Sequence, residues 1–473
     1  MRRLSKSCLL TAALLLAACE DRNVAEIQTE TETQLAVLAE KGKLTSGAVG
    51  VEAEGEGYRV TVADVVMLTG PDTKMPLGEV SYLHEPIDDE TVRYADIRIA
   101  SPIQVQSAAG EPQGTIAFEL DRAETVWSKP LESFISMNFV LPAAQIVGSV
   151  EPSTVDIVNL TLKSDTVDPA AERTDQTGTL TIETLTAQGD QGDSVVIDGI
   201  SAESRFTNVD VAAMAAAANS FETATATGEN LAPSIVAMLQ SFSSSDVTLT
   251  MNRVTHLDAA GAEDFALTNM RVVGTLADAD KEAGKLNFAI GYDSIALPPE
   301  AFADDPMVEL LAPQVLAINI DVAHVPFQRA TTQIAAIAPS VGEMGADQPE
   351  IAGLLLLSTL RAAFAEAGTT IRLDGTRIQL RDALISVTGG VDVAPSAPLG
   401  VTGDMEISLY GLDTLMQSAA ALPPGAEADE FRSTLEFLAV MSVRDEEGGE
   451  VVDRYHVVAD ETGAVTVNDQ PVF

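Results

Sequence analysis

The stretch "TTIRLDGTRIQLRDALISVTGGVDV", Thr369–Val393, decides how this chain is read. Its apolar residues alternate with polar ones, the period of a strand with one wet face. Ile371 and Leu373 precede Asp374-Gly375, and Ile378 and Leu380 follow it. An Asp-Gly pair between alternating strands predicts a hairpin, because both turn positions accept positive φ. Gly389-Gly390 predicts a second turn. The same period recurs along the chain. "YRVTV" puts Tyr58, Val60 and Val62 on one face, and "KLNFAIGY" does so with Leu286, Phe288, Ile290 and Tyr292. "LAINIDV" lines up Leu316, Ile318, Ile320 and Val322 against Ala317, Asn319 and Asp321. "MEISLY" points Met405, Ile407 and Leu409 inward and Glu406 and Ser408 outward. Such alternation suits antiparallel sheets better than the continuous apolar runs of buried parallel ones. The closing "YHVVADETGAVTVNDQPVF" reads as strand, turn at Asp460–Gly463, and strand.

Helical spacing interrupts the strands at Val209–Phe221, at Leu231–Phe242 with Pro233 in its first turn, and at Asp347–Ala367. In the last, Asp347 is placed to cap, Glu350 follows three residues on, and Gly368 suits the position after the helix. A further pair is expected at Leu412–Ala421 and Asp429–Met441. "TLTIETLTAQGDQGD" (Thr179–Asp193) also resembles "TLTMNRVTHLDAAGA" (Thr248–Ala262), a weak internal repeat of strand and glycine turn.

The chain begins with a basic segment, Arg2, Arg3 and Lys6, followed by the apolar run Leu9–Ala18. That run is too short for a span of about 20 residues, and the pattern is that of an export signal. Leu16-Ala17-Ala18-Cys19 then resembles a bacterial lipobox, whose cysteine thiol accepts the lipid. Cys19 is the expected lipid-attachment residue, and Cys8 leaves with the signal, so the mature chain has no disulfide. The expected organisation is a signal peptide at 1–18, a tether at 19–45, a β-rich region with helices at its end at 46–245, and a second β-rich region at 246–473. Glu20 and Asp21 favour retention at the inner membrane, on its periplasmic face.

The net charge of −44 becomes −47 when the three basic leader residues are removed. That surface repels phosphate backbones, so nucleic acid is an unsuitable partner. One Trp, six Tyr and fourteen Phe are few for a sugar cleft or a base-stacking platform.

Catalytic patterns fail on their spacing. His84, His256, His324 and His456 share no local arrangement, and His84-Glu85 is followed by Pro86, which disrupts a zinc-binding helix. His84 is therefore read as part of a turn. "DADKEAG" (Asp278–Gly284) opens like a calcium loop but has Ala283 and Ala289 where glycine and a bidentate glutamate belong. A looser acidic turn stands at Gly189–Asp193. There is no nucleophile elbow, P-loop or dinucleotide fingerprint. No catalytic residue, cofactor or metal site is expected.

The C-terminal third, "GTTIRLDGTRIQLRDALISVTGGVDVAPSAPLGVTGDMEISLYGLDTLMQ", resembles a family of exported bacterial proteins known as domain of unknown function 2125. Pro398 and Gly400 supply its proline–glycine step, and Gly411, Asp413 and Leu415 its "G-x-D-x-L" ending. "GAVTVNDQPVF" is similar to that family's close, with Asp469 where glycine is usual. More distantly, the repeated strands resemble AsmA-like envelope proteins, and that resemblance implies long curved sheets and lipid handling. The expected fold is thus α+β: predominantly antiparallel, curved β-sheets built from hairpins, with interspersed helices packing on them. The expected function is that of a non-enzymatic envelope lipoprotein, bound to the membrane through Cys19, that holds a lipid or other hydrophobic ligand in a sheet groove. A structural or assembly lipoprotein working through envelope-protein contacts is the alternative. A carboxylate-dependent periplasmic hydrolase is the third reading.

Overall fold

The computed structural model describes residues 24–40, 42–70, 73–131, 133–149, 153–168, 171–227, 231–298, 306–344 and 349–472. Cys19, the leader and Asp347 lie outside them. The chain is mostly antiparallel β-sheet with a few helices. It divides into two compact units: residues 1–205, 210–212 and 254–262, and residues 206–209, 213–253 and 263–473.

The first unit begins with helix α1, Val24–Glu40, inside the segment read as a tether. Ile27, Thr31, Leu35 and Leu38 recur at helical spacing, and all four are buried. The helix packs on strands β1 (Leu44–Thr45) and β2 (Val49–Glu54), which both pair with β3 (Gly57–Gly70). β4 (Thr73–Pro86) follows, with β5 (Thr91–Ile99) and β6 (Ile103–Ser107) along its other side. β7 (Pro112–Glu119) and β8 (Arg122–Ser128) share one side of β9 (Ser133–Gly148), and β10 (Thr154–Thr166) and β11 (Thr174–Gln188) complete the ladder. In β3 the buried residues switch from Val60 and Val62 to Val65 and Met67. Asp64 stands between them at φ 51°, where the register with β4 shifts. This is a bulge, and bulges bend a strand and increase its twist. Strands β12 (Ser194–Val209) and β13 (Ser244–Leu257) contribute residues to both units.

The second unit contains helices α2 (Val211–Thr227) and α3 (Ala232–Gln240), then β14 (Glu263–Ala277), β15 (Gly284–Tyr292) and β16 (Ser294–Ala296). Helix α4 (Pro306–Leu311) leads to β17 (Val315–Val325), and helices α5 (Phe327–Met344) and α6 (Pro349–Ala367) lead to β18 (Thr370–Arg372). Strands β19 (Thr376–Gln379), β20 (Leu384–Val393) and β21 (Val401–Tyr410) precede helices α7 (Leu412–Ala420) and α8 (Ala426–Met441). Strands β22 (Val443–Glu447), β23 (Glu450–Ala459), β24 (Val465–Val467) and β25 (Gln470–Pro471) close the chain. Helix α6 ends as expected: Gly368 is left-handed at φ 66°, and the Thr369 N–H donates to the Phe364 carbonyl at 2.9 Å. Helices α4 and α5 were not foreseen, and Pro339 inside α5 argues against a helix by propensity alone.

The opening stretch folds differently from its sequence expectation. Asp374-Gly375 makes no hairpin. β18 and β19 do not pair with each other, and each lies between β17 and β20. Together they form one strand with an extra residue relative to both neighbours, because both registers shift by one across Leu373–Gly375. Gly375 is left-handed at φ 75°. The positive φ that suggested a hairpin serves a bulge instead. Gly389-Gly390 likewise makes no turn and sits inside β20. A Cβ on Gly389 would stand 2.3 Å from the Asp404 carbonyl oxygen, and one on Gly390 would stand 2.0 Å from that of Ile371. Glycine is required there by close backbone approach. The true hairpin lies between β19 and β20 at Arg381-Asp382, closed by the Leu380 N–H donating to the Ala383 carbonyl at 2.8 Å.

Candidate functional site

Register fixes which side chains share a face, since residues directly opposite in an antiparallel pair point the same way. One row crosses the second unit through Tyr292, Leu316, Ile378, Ile385 and Leu409. A parallel row runs through Leu276, Leu286, Val322, Ile371 and Val391. Between them Val272 faces Ile290, Ile290 faces Ile318, and Phe288 faces Ile320. These residues make a continuous apolar face.

Among the described residues, one end of that face joins a buried cluster. Leu409 joins Leu412, Leu415 and Ala419 of α7, Leu435 and Met441 of α8, and Tyr455 of β23 in a buried cluster. Ile378, Ile385 and Ile407 pack against it. Farther along the face, on β15, the described residues form no such cluster: Leu286 is 37% and Phe288 39% exposed, although alternation points both inward. Sequence marked these residues as apolar and co-facial; it carried no sign that they are left exposed.

The motif glycines of the C-terminal third hold the fold. Gly411, at φ 81°, stands before α7, where a Cβ would meet the Asp382 carbonyl oxygen at 2.3 Å. Gly400, at φ 77°, lies under the Arg361 guanidinium, and Gly463 lies against Pro398.

The acidic clusters are occupied by arginine. A cavity of about 430 Å³ is lined by Asp382, Asp413, Glu450 and Asp453. Arg381 holds Asp382 at 3.0 Å, and with Ser418 keeps its pKa below the ordinary value. Arg444 holds Asp413, and it also reaches the buried Asp453 at 3.0 Å, to which the Ser442 hydroxyl donates at 2.8 Å. Every carboxylate whose pKa departs clearly from its ordinary value among the described residues, including Asp96 and Asp460, is shifted downward. A general acid needs the opposite shift.

The histidines do not converge. His84 is not in a turn: it lies in β4, buried between Tyr58 on β3 and Tyr94 on β5, with ring centroids 6.3 and 5.5 Å away. Desolvation pushes its pKa down to about 4. His456 Nε2 lies 2.8 Å from Asp404, and His256 lies 3.7 Å from Asp193. Asp278 pairs with Lys281, and no group of three or more metal-type ligands occurs among the described residues. No helix among them is long and apolar enough to cross a membrane. No protein family, curated protein or solved structure matches this chain.

Proposed function

We propose that this protein is a non-enzymatic lipoprotein of the bacterial envelope, anchored through Cys19, whose second unit offers a curved apolar sheet face to an acyl chain. The exposure of Leu286 and Phe288 on that face carries the reading. Leu286, Phe288, Ile290, Ile318, Ile320 and Val322 form an apolar surface without a charge among them, beside an end of the same face that helices already cover. Each fully buried side chain of this size gains about 1.5–3 kcal/mol, so a ligand that covers the exposed fractions recovers part of that. The lipobox-like leader supports proximity to lipid, and the resemblance to exported envelope families agrees with it.

Native mass spectrometry of protein purified from membranes tests this reading, together with titration of a fluorescent fatty acid. A lipid-sized adduct is expected, and it should be lost in Phe288→Asp. If neither the adduct nor probe binding is seen with the wild-type chain, the reading fails.

The alternative, an assembly role through protein contacts, is favoured by a different surface. Phe437 and Val440 on α8 are 52% and 76% exposed, and Val443 at the start of β22 is 55% exposed. Loss of co-purifying envelope proteins in Val440→Glu, with the lipid adduct intact, would favour it.

A further inference from the structure

We infer that the opposite face of the same sheet clamps a phosphate group between Arg271 and Arg377. The site lies on the other side from the apolar face and does not rest on its role. A groove of about 540 Å³ opens there, over β14, β15 and β17. Its floor is Ala289, Gly291 and Ala317, which bring almost no side chain above the backbone. Arg271 stands opposite Gly291, Gly291 opposite Ala317, and Ala317 opposite Arg377. The two arginines therefore share a face, at the ends of one row, three strand spacings or roughly 14 Å apart. Each carries a stem about 6 Å long. Leaning inward, both guanidinium groups reach the same point above Gly291 and Ala317.

Charge makes the arrangement unusual. In a chain with 71 acidic and 27 basic residues, an arginine has many carboxylates to choose from. Arg253, Arg372 and Arg454 each hold at least one. Arg271 and Arg377 hold none among the described residues, and both are exposed. Of the nearby carboxylates, Asp293 also lines the groove, and both it and Asp321 take their hydrogen bonds from amides rather than from these arginines. Asp293 accepts from the Asn269 amide at 2.8 Å, and Asp321 accepts from the Asn287 amide at 2.7 Å. Two unpaired cations facing each other across a low floor repel, and an anion between them relieves that repulsion. Guanidinium forks match oxyanions with two parallel hydrogen bonds. A phosphate group has enough terminal oxygens and charge to meet both forks at once, which a single carboxylate does not.

The phosphate has two possible sources, a free anion or a lipid headgroup. The test uses the full chain carrying Cys19→Ser, so that no lipid anchor contributes. Calorimetric titration with inorganic phosphate is run beside flotation with phosphatidylglycerol vesicles. Binding is expected in at least one arm, weakened about tenfold in Arg271→Gln and in Arg377→Gln. Phosphate binding alone identifies a free anion, and flotation alone a headgroup. A second variant, Ala317→Glu, leaves both arginines in place but sets a carboxylate on the floor, and it should abolish binding. Unchanged circular dichroism spectra identify variants that remain folded. No binding in either arm, or binding that survives Ala317→Glu and both arginine replacements, overturns the assignment.

Discussion

Acid should destabilise the first unit through His84. The imidazole is 2% exposed, packs edge-on against Tyr58 and Tyr94, and its Nε2 has no hydrogen-bond partner. In the folded chain its pKa is pushed down to about 4, against an ordinary 6.5. Between those values the unfolded chain binds a proton that the folded chain refuses. Stability therefore rises with pH across this window and is lost as pH falls from about 6.5 toward about 4. At 1.36 kcal/mol for each pH unit, the full loss is about 3 kcal/mol. Trp127, the one tryptophan, lies in the same unit with its ring centroid 4.9 Å from that of Phe134, so its fluorescence reports this unit alone. Urea unfolding followed by Trp127 should show the wild type losing about 3 kcal/mol more than His84→Phe over that range. The comparison cancels the contribution of carboxylates common to both. Parallel pH dependences for the two proteins would refute the argument.

Gly390→Ala should destabilise the second unit by about 1–3 kcal/mol through overpacking against the Ile371 carbonyl, read as a lower denaturant midpoint in circular dichroism. Asp453→Ala strips the buried acceptor from Ser442 and Arg444, and a loss of about 1–3 kcal/mol is expected in the same assay. Cys19→Ser should move the protein from the membrane to the soluble fraction on cell fractionation; a substituted protein that still sediments with membranes speaks against the anchor.

Alternation made the strands legible, and for Val60, Val62 and Leu409 it also gave the buried face. What it could not give was connectivity. Asp374-Gly375 supplies a positive φ, and the same local chemistry serves a hairpin or a bulge. The choice depends on whether β17 and β20 arrive on both sides, which is decided by residues more than 50 positions away in the case of Asn319 and Thr376. His84 was misplaced for a related reason. Its neighbour Pro86 suggested a turn, yet that proline is the last residue of β4, a position a strand end tolerates. The candidate sites needed register above all. Arg271 and Arg377 are 106 positions apart and become one row only through two intervening strands. Likewise, Leu286 and Phe288 carry the same letters whether a helix covers them or not.

The extra residue in the strand formed by β18 and β19 also sets a reading frame for insertion and deletion. Elsewhere in β17 or β20, removing one residue would turn every side chain beyond it to the other face. Around Leu373–Gly375, removing one residue brings the two halves into a common register with both neighbours. The bulge is thus the place in this strand where the chain can shorten by one and keep its apolar row intact, and length variation among homologous strands should collect there.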